Sequence, residues 1–156
     1  MKNILLVLVG GTICTALTEY GTLSVSSNAG TKLVQGFMAS DSPYKDSVNI
    51  TTSENLGILS ENMTVDTWNT ILDFFRTEVE WSAYRGIIVL HGTDTLAYMS
   101  SLLAIVLSGA PIPVCMVSSQ LPLDYEATNG HANFRASVEL IMNGIAPNVY
   151  AVYRNS

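Results

Sequence analysis

A chain of 156 residues is long enough for one domain with a substantial core, and 48% hydrophobic against 13% charged residues gives it about half the usual charged share. Its thirteen acidic and seven basic residues leave a net charge of −6 with the cations scattered, which excludes the dense positive patch of a nucleic-acid groove and a surface drawn to anionic lipid. A mean hydropathy of +0.31 implies both apolar surface covered by another domain or subunit and a large internal sheet buried on both faces, although no apolar run approaches the roughly 18 residues of a membrane-spanning helix.

The first element is the run Ile4 to Val9, β-branched and leucine-rich without polar alternation, which reads as a central parallel strand. With Lys2 before it and small residues after it, the run imitates a signal peptide. Six apolar residues make a short core for one, and Ile13 rather than a small residue precedes Cys14. A buried first strand in a cytoplasmic protein is the better reading. From Cys14 to Thr31 the chain is rich in Thr, Ser, Gly and Ala with little periodicity, the pattern of a lid or binding loop, with a short strand at Thr22 to Ser26. Gly30 to Met38 is a short helix with Leu33 and Phe37 inward. Ser47 to Thr52 is a second strand, and Leu56 to Asn62 a loop.

A helix follows from Val65 to about Thr77, capped by Thr64, with Val65, Trp68, Ile71, Leu72 and Phe75 on one face. Gly86 to Leu90 is the next strand. Asp94 to Leu107 is a helix burying Leu96, Met99, Leu103 and Val106, ended by Ser108-Gly109-Ala110-Pro111. Pro113 to Val117 is another buried strand, Ser118 to Thr128 a turn-rich loop, Gly130 to Met142 a helix stopped by Asn143-Gly144, and Val149 to Tyr153 a last strand. Cys14 and Cys115 have no C-x-x-C or Cys/His spacing, so two reduced, at least partly buried thiols are expected. With His91 and His131 they make no zinc site. Strands alternating with helices define an α/β fold, an open and mostly parallel sheet flanked by helices, with the active site at the carboxyl ends of the strands. No repeat, low-complexity segment or domain boundary interrupts it.

Two strands run into related turns: Gly10-Gly11-Thr12 after the first, and His91-Gly92-Thr93-Asp94-Thr95 after Gly86 to Leu90. In a parallel sheet both turns face one crevice, and two hydroxyls with a carboxylate converging there suggest acyl transfer. A helix start beside Asp94 favours its carboxylate and offers free N–H groups to a carbonyl or carboxylate. The glycines allow close backbone approach. Taken singly, each turn is equally a βα connection with a capping threonine, and His91 a group bonded to the backbone. The pairing of the two turns is what carries information.

Val9-Gly10-Gly11-Thr12-Ile13 and Leu90-His91-Gly92-Thr93-Asp94-Thr95 resemble the two threonine signatures of the bacterial-type L-asparaginase/glutaminase family. Ser60-Glu61-Asn62-Met63-Thr64 with Trp68 resembles its substrate loop and following helix. Ser119-Gln120-Leu121-Pro122-Leu123 with Gly130 and Asn133 resembles the segment after the next strand in the cytosolic type I enzymes. The resemblance covers essentially the whole chain, and H-G-T-D-T is its most specific part. It implies deamidation of asparagine, or of glutamine, to the acid and ammonia without metal or cofactor. Thr12 is then the nucleophile, and Thr93 with Asp94 a proton relay. Ser60, Glu61 and Asp94 hold the substrate's amino and carboxyl groups. Gly11, Gly92 and Ser119 line the substrate site, and N–H groups near Thr12 and Thr93 form the oxyanion site.

There are two departures from the family pattern. The family has a tyrosine in the loop after the first threonine. An ungapped match puts Thr22 there and Tyr20 two residues earlier, so Tyr20 is either that residue with a small loop shift or an ordinary exposed aromatic. The family also places a lysine after the strand matching Val149 to Tyr153, and none of Lys2, Lys32 and Lys45 matches it. The resemblance thus reads residues 1–156 as an N-terminal domain, cut before its last catalytic loop and lacking the C-terminal domain that reaches the neighbouring subunit of an oligomer. Such a chain is expected to be weak or inactive alone. Two alternatives stand beside this: a non-catalytic amino-acid-binding or structural remnant, and the amidohydrolase subunit of a tRNA-dependent amidotransferase. The latter carries an extra N-terminal domain, for which Gly10 lies too near Met1.

Overall fold

The computed structural model describes residues 1–17, 23–26, 28–58 and 63–154. The run Ile4 to Val9 lacks polar alternation because both faces of its strand are covered. That strand, β1 (Lys2–Gly10), pairs in parallel with β4 (Val48–Ile58) on one side and β5 (Gly86–Leu90) on the other. β6 (Val114–Val117) and β7 (Val149–Val152) continue the sheet in parallel, giving the order β4-β1-β5-β6-β7. Helices α1 (Ala29–Met38) and α4 (Gly130–Met142) cover one face. Helices α2 (Val65–Thr77) and α3 (Leu96–Val106) cover the other.

Alternate strand residues feed the two cores. Ile4, Leu6, Leu8, Ile88, Leu90, Cys115 and Val117 pack with Leu33, Phe37 and Phe134. Leu5, Val7, Val9, Ile87, Val89, Val114 and Met116 pack with Ile71, Phe75, Met99 and Leu103. Each fully buried side chain of this kind contributes about 1.5–3 kcal/mol before the entropy of ordering the chain is subtracted. This is the internal sheet that the apolar composition calls for, and both cysteines are free and buried in the core on one of its faces. Some apolar surface remains outside as well. α3 carries no charged residue, and its Tyr98 and Ile105 are 67% and 73% exposed, the pattern of a helix with more than one apolar face.

Four details differ from the sequence reading. The short strand expected at Thr22 to Ser26 is present as β3 (Leu23–Val25), and it pairs antiparallel with an unexpected strand, β2 (Thr15–Leu17), that follows a 3₁₀ turn at Thr12–Cys14. β2 was hidden because three residues are too few to show a period. The second strand runs to Ile58 rather than Thr52, with register shifts against β1 between Leu6 and Gly10, so Leu56 belongs to the strand rather than to the expected loop, whose remaining residues 59–62 lie outside the described residues. Val65 is 72% exposed: as the first residue of α2 it projects past the sheet, while Ile71, Leu72 and Phe75 are buried and Trp68 is half-buried. α3 begins at Leu96 rather than Asp94, because Thr93 and Thr95 use their carbonyls to accept from Leu96 N at 3.3 Å and Met99 N at 2.9 Å, leaving Asp94 in the turn. Leu96 and Val106, at its ends, are half-buried rather than buried.

Candidate active site

The chain leaves β1 toward β4 on one side and later returns to β5 on the other, so the sheet's switch point lies between β1 and β5. Ligands of open α/β sheets bind outside the carboxyl ends of the strands at such a point. The Gly10-Gly11-Thr12 and His91-Gly92-Thr93 turns both stand there. Register carries Leu8 opposite Leu90, and two residues further on the turns touch. A Cβ built on Gly11 would lie 2.1 Å from Gly92 Cα and 2.4 Å from Gly92 N. Gly11 also has φ 83° and ψ −177°, a conformation essentially reserved for glycine. Local backbone and long-range contact therefore demand the same residue.

Thr12 opens the 3₁₀ turn and is half-buried. Its carbonyl accepts from Thr15 Oγ1 at 2.8 Å, while among the described residues its hydroxyl has no partner. Thr93 is half-buried and lines a cavity of about 350 Å³ with Leu96, Gln120 and Tyr153. Asp94 is exposed and makes no ion pair with any described residue. His91 is fully buried, and its Nδ1 lies 2.9 Å from Gly92 O. Burial holds its imidazole below the ordinary value of 6.5, against the smaller opposing effect of that bond. Burial pushes the Cys14 thiol, two residues past Thr12, up to about 12, so it remains a protonated core residue rather than a nucleophile.

The third wall comes from the loop after β6. Ser119 is fully buried and its Oγ donates to Leu121 O at 2.6 Å. Gly130 packs on it so tightly that a Cβ there would fall 3.1 Å from Ser119 Cβ. Two asparagines at the start of α4 tie this loop to the exit of β7. Asn133 Nδ2 donates to Ser118 O at 2.9 Å while its Oδ1 accepts from Arg154 N at 2.9 Å. Asn129 Oδ1 accepts from Gln120 N at 3.1 Å while its Nδ2 donates to Arg154 O at 2.6 Å.

Of the residues expected in the site, Gly11, Thr12, Gly92, Thr93, Asp94 and Ser119 all fall at the carboxyl edge of the sheet. Tyr20, Ser60 and Glu61 lie outside the described residues. The wall residues Gln120 and Tyr153, and the tie through Asn129, were not anticipated as parts of the site. Their one sequence signal is a position just past a buried strand or just before a helix, which becomes informative only once the strand order is known. A larger cavity, about 540 Å³ and bordered by Lys2, Asn3, Arg85 and Pro113, lies at the opposite, amino end of the strands, away from the threonine turns.

An open parallel sheet with polar turns gathered at its switch point defines an α/β domain of the class whose ligands bind at the carboxyl edge. Comparison with known proteins makes this particular: the family described as Asparaginase, N-terminal matches residues 3–156, and the chain belongs to it. The L-asparaginase of Thermococcus kodakarensis is 33% identical over 145 residues, covering 92% of this chain and 42% of that protein. Its solved structure superposes with a TM-score of 0.77 at 29% identity, covering 97% of this chain and 44% of the other. A glutamyl-tRNA(Gln) amidotransferase subunit of Methanosphaera stadtmanae is 29% identical over 145 residues, covering 93% of this chain and 32% of that protein. The chain therefore spans less than half the length of these curated relatives. Among the described residues no helix is long and apolar enough to cross a membrane.

Proposed function

We propose that this domain supplies the nucleophile half of an amidohydrolase site that converts L-asparagine to L-aspartate and ammonia in the cytoplasm. The observation that carries the reading is the contact of Gly11 with Gly92, which brings two hydroxyl-bearing turns together at a switch point. In this reading the Thr12 hydroxyl adds to the side-chain amide carbon. Its proton passes through Thr93 and Asp94 to the leaving nitrogen, ammonia departs, and water hydrolyses the Thr12 ester to release aspartate and regenerate the hydroxyl. The N–H groups of the two turns face the tetrahedral oxyanion. Ser119 shapes the pocket floor, and Tyr20, Ser60 and Glu61 complete the substrate contacts. Residues 1–156 then act as the N-terminal domain of a longer, homo-oligomeric enzyme, and the isolated chain turns over slowly or not at all. Glutamine differs by one methylene, a discrimination of about 1–3 kcal/mol.

The test is ammonia release from L-asparagine, run on the 156-residue chain and on a longer chain that contains it, with Thr12→Ala alongside. Loss of turnover with L-aspartate binding kept within about threefold supports the assignment, on the rule that a transition-state group affects turnover more than affinity. Turnover that survives the substitution removes Thr12 as nucleophile. The amidotransferase relative supports a second reading, in which the ammonia is passed to a partner that amidates Glu-tRNA. Ammonia release that requires that partner and the charged tRNA favours this second reading. Aspartate binding without turnover in either setting favours a non-catalytic binding domain.

A further inference from the structure

The sequence singles out His91, and the reaction above leaves it without a role. It is fully buried beneath the second threonine turn, and its Nδ1 meets the carbonyl of the very next residue. A carbonyl oxygen only accepts, so the ring's proton is on Nδ1 and Nε2 is an acceptor. Nε2 is buried with no partner among the described residues. So are two hydroxyls close in the fold, Ser118 Oγ and Thr95 Oγ1. The Leu90–Val117 register, continued one residue, sets Ser118 beside His91, and Thr95 lies on the same turn. Neither hydroxyl reaches Nε2 within hydrogen-bond distance, so the one bond that holds the ring among the described residues is that of Nδ1 to Gly92 O.

The consequence lies in the peptide between Gly92 and Thr93. Among the described residues there are no cis peptide bonds, and in a trans peptide the C=O and N–H point in opposite directions. A Gly92 carbonyl drawn inward to a buried ring turns the Thr93 N–H away from that ring, and Thr93 is a residue of the cavity lining. Among the described residues that N–H has no acceptor. Gly92, with no Cβ, is the residue whose peptide would otherwise rotate most freely.

We propose that His91 is a positioning residue whose Nδ1–H locks the Gly92 carbonyl inward and so aims the Thr93 N–H into the cleft as a preset donor for the developing oxyanion. The role in turnover rests on the amidohydrolase reading above; the locking of the peptide does not.

The test uses two isosteric variants. His91→Asn puts its amide nitrogen where Nδ1 was, and His91→Gln puts it where Nε2 was. On the 156-residue chain, ¹⁵N NMR at pH 7.5 should find His91 neutral with its proton on Nδ1. The Thr93 amide resonance should be kept in His91→Asn and displaced in His91→Gln. A proton on Nε2, or equal displacement in both variants, overturns the proposal whatever the chain does to asparagine. In a chain that hydrolyses asparagine, His91→Gln should lower kcat about 10–100-fold with KM within about twofold, as loss of an aimed oxyanion donor does, while His91→Asn stays within about threefold. Equal losses in the two variants, or a loss confined to KM, overturn the catalytic half alone.

Discussion

Replacing Gly11 with alanine tests the junction of the two turns directly. The new methyl would sit 2.1 Å from Gly92 Cα, 2.4 Å from Gly92 N and 3.0 Å from His91 C, all backbone atoms that no rotamer change can clear. Ordinary contact begins near 3.4 Å, so the turns must part by more than 1 Å. Two costs add. The φ of 83° with ψ near 180° costs a residue with a Cβ about 1–3 kcal/mol, and overpacking in a rigid surround costs about 1–3 kcal/mol. We expect a loss of about 2–6 kcal/mol, a large share of the ~5–15 kcal/mol that holds a domain folded, and a fall in Tm of roughly 4–24 °C at this size. Gly109→Ala is the control: φ is 94° there, but nothing lies within 4 Å of its Cβ, so it bears the backbone strain alone. Urea melts followed by circular dichroism compare the two. If Gly11→Ala proves as stable as Gly109→Ala, the contact between the turns is not what we describe. In a chain that turns over asparagine, a shift of about 1 Å between the threonines should also cost ~100-fold in kcat/KM.

Four further outcomes follow from the same structure. Asn133→Ala strips partners from Ser118 O and Arg154 N inside the fold and should cost about 2–4 kcal/mol in urea melts, on the penalty for unsatisfied buried groups; a loss under about 0.5 kcal/mol would disprove the tie. Thr64→Ala removes a reciprocal cap, in which Thr64 Oγ1 accepts from Thr67 N at 3.3 Å and Thr67 Oγ1 accepts from Thr64 N at 2.7 Å, and should cost about 1 kcal/mol, read as a lower urea midpoint at unchanged slope. Because burial lowers the His91 value below 6.5, the unfolded chain binds that proton first as pH falls. Its stabilising contribution is full above about pH 6.5 and is lost as pH drops toward the folded value, with a slope of about 1.4 kcal/mol per pH unit; His91→Asn should flatten the stability–pH curve in that window. Cys14 and Cys115, both pushed up to about 12 by burial, should resist a thiol reagent at pH 8 in the folded chain and both react in guanidinium; rapid labelling of either in the folded chain contradicts the burial.

Elements whose signal is local were legible from the residues alone. Ile4 to Val9 and Gly86 to Leu90 read as buried strands because unbroken apolar runs need cover on both faces. The start of α2 at Val65 and the end of α4 at Met142 were legible because Thr64 caps one and Asn143-Gly144 stops the other. The two threonine turns were visible because each directly follows such a strand. Where the local signal was weak, the reading slipped. A three-residue hairpin strand shows no period, β4 reaches Ile58 by pairing with β1, and Asp94 falls to a turn whose carbonyls start α3 later. Which turns meet was settled by the assembled sheet. The order β4-β1-β5-β6-β7 sets β1 beside β5 although their ends are some eighty residues apart in the chain. That pairing presses Gly11 onto Gly92, and the β6–β7 pairing lets Asn129 and Asn133 bind the β6 loop to Arg154. Such contacts depend on which strands become neighbours, and periodicity within one segment cannot encode its neighbour across the sheet.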